Sequence, residues 1–396
     1  MNAARPEASG TFEVDGCFRS GEARPATTRR RSRACAPRVA APALSVQPYQ
    51  PEPVEFSLRA PAQGFGAASA RGFVSEEIRA PKRFNIVGFE WDGGAEPAIA
   101  VRVRAEGEEW NRWTSVPAHS DGGPDPASAE SRARGVSEPV WAGEADYVQY
   151  RLSKRPPGLR LHFVNTTGTA TAFDRIETGL RGAVNDGVVA VSALASAVAD
   201  TTGPKMIPRG AWGAENCPPR REPKLGTVKV AFVHHTVTAN RYTREEAKSM
   251  VLGICRYHRN VNGWDDIGYN FLVDRFGRIF VGRHGGRDKA VVGAHSEGFN
   301  DQSTGVANLG TFSSKRQTSE GIRATARLIR WKLRHHGQPV EGSARTVSGG
   351  GSTNRYPKGT VVRLKRISGH RDVSPTECPG ERLYRQLRRV RELAAG

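Results

Sequence analysis

The sequence predicts two folded parts. Residues 205–396 read as an α/β domain, a mixed central sheet flanked by helices. Residues 53–167 read as a small all-β, sandwich-like domain ahead of it. Three observations carry this. Between 83 and 165, short runs rich in β-branched and aromatic residues recur between turn clusters. From Met206 onward, strand-like runs alternate with stretches whose apolar residues fall at helical spacing. Nowhere is there an apolar run of about eighteen residues, so no membrane-spanning helix is expected.

The elements follow in order. Residues 1–52, rich in Ala, Pro, Arg and Ser, are expected to be disordered. TRRRSR (28–33) has the charge of an export signal. The apolar part after it, Ala34 to Leu44, is short and interrupted by Pro37, Arg38 and Pro42, which makes a poor signal peptide. The β runs are RFNIVGFEW (83–91), AIAVRVRAE (98–106), WNRWTSVP (110–117), YVQYRLS (147–153) and LRLHFVN (159–165). In the second, Ile99, Val101 and Val103 alternate with Ala100, Arg102 and Arg104, the period of a half-buried strand. Trp110, Trp113 and Trp141 could stack on sugar rings, but the expectation is that they fill the core of this domain. Residues 168–204 read as linker, with a helical turn at ALASAVAD (193–200).

In the second part, KVAFVHHT (229–236) reads as a buried strand. TREEAKSMVLGICRYHRN (243–260) reads as a helix opened by a capping box of Thr243 and Glu246. IGYNFLVDRFGRIFVGR (267–283) is a hairpin turning at Asp274 to Gly277, and VVGAH (291–295) and GVANLGTF (305–312) are further strands. A second helix covers 319–337 with Gly337 as its stop. Residues 338–366 hold a surface hairpin, and GERLYRQLRRVREL (380–393) is the last helix.

Lys and Arg outnumber Asp and Glu by 59 to 40, a net charge of +19. Such a surplus attracts polyanions, nucleic acid or an anionic wall polymer among them. With neither a helix-turn-helix nor zinc-finger spacing, no specific nucleic-acid partner is expected. The five cysteines are Cys17, Cys35, Cys217, Cys255 and Cys378; an odd count leaves one for another role.

One of the five, Cys378, stands in ISGHRDVSPTECPG (367–380). A strand ending at His370 holds that side chain in place, and the loop braced by Pro375 and Pro379 returns Cys378 beside it. If the strand KVAFVHHT lies alongside, His234 or His235 completes a set of two nitrogens and one sulfur. Three protein ligands with a fourth position for water is the catalytic form of a zinc site, suited to hydrolysis of an amide or ester. Successive strand residues face opposite sides, so periodicity alone cannot choose between the two histidines.

IPRGAWGA (207–214), VHHT (233–236), GWDDIGYNFLVDRFGRIFVGR (263–283), VGAHSEGFN (292–300) and SGHRDVSPTECPG (368–380) occur in that order. Together they resemble the peptidoglycan recognition protein and type-2 zinc N-acetylmuramoyl-L-alanine amidase family. The resemblance implies zinc held by His234, His370 and Cys378. It places Tyr269 beside the metal, and Thr376 or Tyr269 at the developing oxyanion. His295, Asn300 and Trp264 would line the groove for the glycan and stem peptide. Some relatives carry a Glu where this strand has Ala307, so no general base is assigned. Peptidoglycan is the implied partner, an extracellular or cell-wall location the implied setting, and a non-catalytic peptidoglycan-binding protein the alternative. Cys217 and Cys255, before the zinc strand and on the helix after it, are expected to form a disulfide.

Overall fold

A computed structural model describes residues 51–60, 72–93, 96–117, 122–130, 135–174, 176 and 203–396. The export-signal reading of 28–44, Cys17, Cys35 and the helical turn at 193–200 lie outside these residues. Both sheets described below belong to one compact unit, Gln47–Gly396.

The N-terminal sheet is antiparallel throughout. Its strands are β1 (Val54–Arg59), β2 (Phe73–Val74), β3 (Ile78–Trp91), β4 (Ile99–Arg104), β5 (Thr114–Val116), β6 (Gly135–Val136), β7 (Val140–Leu152) and β8 (Arg160–Asn165). The order is β1-β8-β3-β7-β4-β5, with β2 on β7 and β6 on β3. Ile99, Val101 and Val103 of β4 share one core with Phe84 and Phe89 of β3 and Leu161 and Phe163 of β8. The domain is thus a small all-β unit built around one core, sandwich-like in its layering. Trp91, not the three tryptophans singled out from the sequence, fills that core. Trp110 and Trp113 stay half-exposed among arginines: the Arg102 guanidinium lies 5.0 and 4.8 Å from their ring centres. Trp141 is buried, but against the second domain.

The second sheet runs β11-β10-β12-β9-β15. Its strands are β9 (Val230–His235), β10 (Phe271–Val273), β11 (Ile279–Val281), β12 (Ser303–Asn308) and β15 (Ile367–Gly369); β13 (Ser343–Val347) and β14 (Val361–Lys365) form the separate hairpin. Only β11 is antiparallel to its neighbour, so the sheet is mixed. Helix α1 (Arg244–Asn260) packs on one face with Leu272 and Ala307. Helices α2 (Ser319–His335) and α3 (Glu381–Ala395) cover the other with Ala231, Val233 and Val306. The Thr243–Glu246 capping box opens α1 as the sequence suggested. The segment 291–295 is not a strand: Val291 makes one isolated bridge to Leu225, and the rest is loop. Its backbone bonds go elsewhere, Ala294 N to Gly268 O and His295 N to the Asn300 side chain.

Cys217 and Cys255 are joined in a disulfide that closes a 38-residue separation and ties the entry of β9 to α1. Loop-closure entropy for that length amounts to about 4 kcal/mol. A Cys217→Ser/Cys255→Ser protein should therefore melt several degrees lower, read by calorimetry, and reductant should produce the same drop in the wild type.

The two sheets meet through a row of side chains paired across β8, β3 and β7: Val164, Ile86 and Trp141. The row joins Met250, Ile254 and Tyr257 of α1 in one core. Two glycines set this approach. A Cβ on Gly253 would lie 2.3 Å from Ile86 Cδ1, and one on Gly88 2.1 Å from the Tyr257 hydroxyl.

Candidate metal centre

Strands β9 and β15 are parallel neighbours with Gly369 opposite Val233. The next residue along each is therefore a histidine, and His370 and His234 emerge side by side with ring centres 4.6 Å apart. The loop after His370 is folded back by Arg371 N donating to Cys378 O at 3.0 Å. The Thr376 hydroxyl fixes its end by accepting from Cys378 N at 3.0 Å. Cys378 Sγ thereby lies 3.7 Å from His234 Nδ1. One ligand atom from each of His234, His370 and Cys378 falls within 4.8 Å of the others, and all three residues are buried.

The chemistry of this set fits a metal ion. Both ring nitrogens of His370 are buried without a hydrogen-bond partner, a costly arrangement unless a ligand takes one of them. Burial pushes the His370 pKa down to about 3 and that of His234 well below its ordinary value. Both imidazoles are thus neutral at neutral pH, the form that binds metal. His235, the next residue, accepts from Phe312 N through Nδ1 at 3.4 Å and takes no part in the set.

Tyr269 is buried with its ring centre 5.5 Å from that of His234. Ala307 sits directly opposite His234 in the strand register, so β12 presents a methyl group there. His295 Nδ1 is 3.1 Å from His234 Nε2, behind the ligand rather than in the cleft. Asn300 is also buried, its Oδ1 accepting from the backbone N–H of His295 and Ser296 at 2.8 and 3.0 Å. Trp264 is buried against His258, ring centres 4.5 Å apart. None of these three side chains is among the residues that line the open cleft beside the centre.

That cleft, about 770 Å³, is lined by Thr376 and His235 from the metal side and by Trp113, Trp141 and Asn111 from the N-terminal sheet. The second wall is held by a segment the sequence read only as turn. Gly122 is packed so closely that a Cβ there would meet His295 O at 2.0 Å. Asp125 Oδ1 accepts from Gly298 N at 2.7 Å and Asn300 Nδ2 at 2.8 Å. Glu130 accepts from Asp265 N at 2.8 Å and pairs with the buried Arg283. Burial raises the Asp125 pKa, its partners notwithstanding. The partners lie more than a hundred residues away, so a GGPDP stretch gave no local signal of them beyond turn chemistry.

Comparison with known proteins assigns this part of the chain. Residues 224–381 match the Amidase_2 family model, described as N-acetylmuramoyl-L-alanine amidase. Residues 224–381 are an Amidase_2 domain. Residues 38–176, which include the N-terminal sheet, match a model described as Rv3811 N-terminal galactose-binding domain-like. The stretch containing the amidase domain is 27% identical over 201 residues to peptidoglycan-recognition protein SC2 of Drosophila melanogaster, covering 51% of this chain and 92% of that one. It is 32% identical over 191 residues to a human N-acetylmuramoyl-L-alanine amidase, covering 47% of this chain and 28% of the human one. The solved structure of Drosophila PGRP-LB is similar at 26% identity and a TM-score of 0.36, over 46% of this chain and 92% of that one. Among the described residues, no helix is long and apolar enough to cross a membrane.

Proposed function

We propose that the protein is a zinc-dependent N-acetylmuramoyl-L-alanine amidase that acts on peptidoglycan outside the cell. The observation that carries this is the buried His234–His370–Cys378 set, with both His370 nitrogens lacking a partner, at the edge of an open cleft. The names of the amidase and recognition-protein relatives supply the substrate class.

In this reading His234, His370 and Cys378 hold zinc, which supplies a Lewis acid and water acidified to a pKa of about 7. The chain's residues do the rest. The cleft receives the junction between muramic acid and L-alanine. Tyr269, fixed against the His234 ring, and Thr376, at the cleft wall, present hydroxyls to the oxygen on which charge develops. Burial of the ligands keeps bulk water from competing for them. The disulfide agrees with an oxidising compartment. Tyr269→Phe should keep its metal by elemental analysis while the turnover rate drops by about 10²-fold, the usual effect of losing one oxyanion donor.

A peptidoglycan-binding protein without hydrolysis is the second reading. The methyl group of Ala307 opposite His234 favours it, since no carboxylate stands there; the presence of Cys378 opposes it. Mass spectrometry of purified peptidoglycan incubated with the protein decides. Free stem peptides beginning at L-alanine, abolished by chelation and restored by zinc, establish the amidase. Intact muropeptides with retained wall binding establish the receptor.

A further inference from the structure

The cleft is not a property of the amidase domain alone. One wall comes from β9 and the Cys378 loop, the other from the N-terminal sheet, through Asn111 and Trp113 on the β4–β5 connection, Ser115 of β5 and Trp141 of β7. The two walls do not drift apart freely, because the Asp125 and Glu130 contacts and the Ile86 row clamp them together. A clamped cleft of about 770 Å³ is within the usual size of ligand sites, roughly 300–1,000 Å³.

Its chemistry selects the ligand. Among the described residues, no Lys or Arg lines the cleft, whereas Glu96 and Glu377 do. A phosphate polymer or a stretch of stem peptide bearing carboxylates would find no Lys or Arg among the described lining residues to receive it. The remaining surface is two indoles among short hydroxyl and amide groups, including Ser115, Thr238 and Thr376. A flat apolar face ringed by small hydrogen-bonding groups matches a neutral pyranose, with C–H bonds on its faces and hydroxyls at its rim. Trp113 is also held in position, its ring centre 4.8 and 4.9 Å from the Arg102 and Arg151 guanidinium carbons. A preoriented ring loses little freedom when a ligand docks on it.

We infer that the N-terminal wall around Trp113 is a glycan subsite: it binds a neutral amino-sugar ring of the strand, next to the sugar whose amide faces the metal centre. The inference rests on the peptidoglycan reading above, and it assigns the N-terminal domain a share in substrate selection. The subsite makes affinity depend on glycan length, independently of hydrolysis.

The test uses the full chain, stripped of metal by chelation, with peptide-free glycan fragments of two and four sugars, and calorimetry as the readout. The longer fragment should bind about tenfold or more tighter than the shorter one. Trp113→Ala should erase that difference, and Trp113→Phe, which keeps a ring, should retain most of it. Ser115→Arg, at an exposed strand position, should block the wall and give the same loss if Trp113→Ala lowers the melting temperature. Equal affinity for both lengths in the wild type, or an undiminished length advantage in Trp113→Ala and Ser115→Arg, overturns the subsite. Length-dependent binding by a protein that releases no stem peptide would retain the subsite and remove the amidase. Amide cleavage with no length dependence would do the reverse.

Discussion

Cys378→Ala purifies folded but without zinc, and releases no stem peptide from peptidoglycan. The cysteine is the one member of the set that can bind a metal as an anion; the two imidazoles it leaves are neutral because burial holds their pKa values down. Two neutral ligands in a buried pocket hold a divalent ion poorly, since nothing on the protein side offsets its charge. The loss of affinity should exceed the ~10–100-fold typical of removing an outer partner. His295→Ala supplies that comparison, because His295 touches His234 at 3.1 Å without belonging to the ligand set. It should weaken zinc within that range, read by competition with a chromophoric chelator. Stoichiometric zinc and full activity in Cys378→Ala would show that the ligand set is wrong.

The metal-free protein should lose most of its stability between pH 6.5 and 5. His235, His258, His295 and His370 are buried, and burial lowers each pKa to about 3. His234 is lowered well below its ordinary value by the same cause. In the unfolded chain each would titrate near 6.5. Above that pH both states are neutral and nothing is lost. As pH falls below it, the unfolded state binds protons that the native state refuses, so stability drops down to the folded pKa values. At pH 5 each of the four held near 3 contributes about 2 kcal/mol of destabilisation, together about 8, with His234 acting in the same sense, and this is comparable to the whole stability of an ordinary domain. Asp125 and Asp265 work in the opposite sense, their pKa values being raised by burial, but two carboxylates do not reverse five imidazoles. Urea melts at pH 7.5, 6 and 5 measure the effect. His258 accepts from Gly268 N at 3.1 Å and is not a ligand, so His258→Gln should make the pH dependence shallower. A midpoint that stays constant from pH 7.5 to 5 would contradict this account.

Much of the centre was legible because its parts are local. The strand ending in His234, the loop from His370 to Cys378 and the capped helix between them each carry their own pattern, and β15 beside β9 joins them. What was not legible depends on contacts far apart in sequence. Residues 291–295 have the apolar content of a strand, but their backbone bonds go to Gly268 and Asn300, leaving no ladder. Trp113 was expected in a core because tryptophan is large and apolar. It precedes β5, where alternation gives no facing, and Trp91, Phe84 and Phe89 already fill the space inside. The clamp at Asp125 and Glu130 was missed because a turn sequence says nothing of what it touches across 135 or more residues.

The absent side chains at Gly88 and Gly253 bear on how this molecule can be handled. They let α1 and β3 approach until Ile86 and Tyr257 share one core. Cutting the chain between the two sheets would expose the helix face around Gly253 and Tyr257 that now meets Ile86 and Gly88. An excised C-terminal half would then behave as one side of an obligate interface, prone to self-association. The N-terminal sheet is thus a built-in companion without which the second domain cannot be expected to stay monodisperse, and engineered truncations should cut ahead of Val54, where β1 begins.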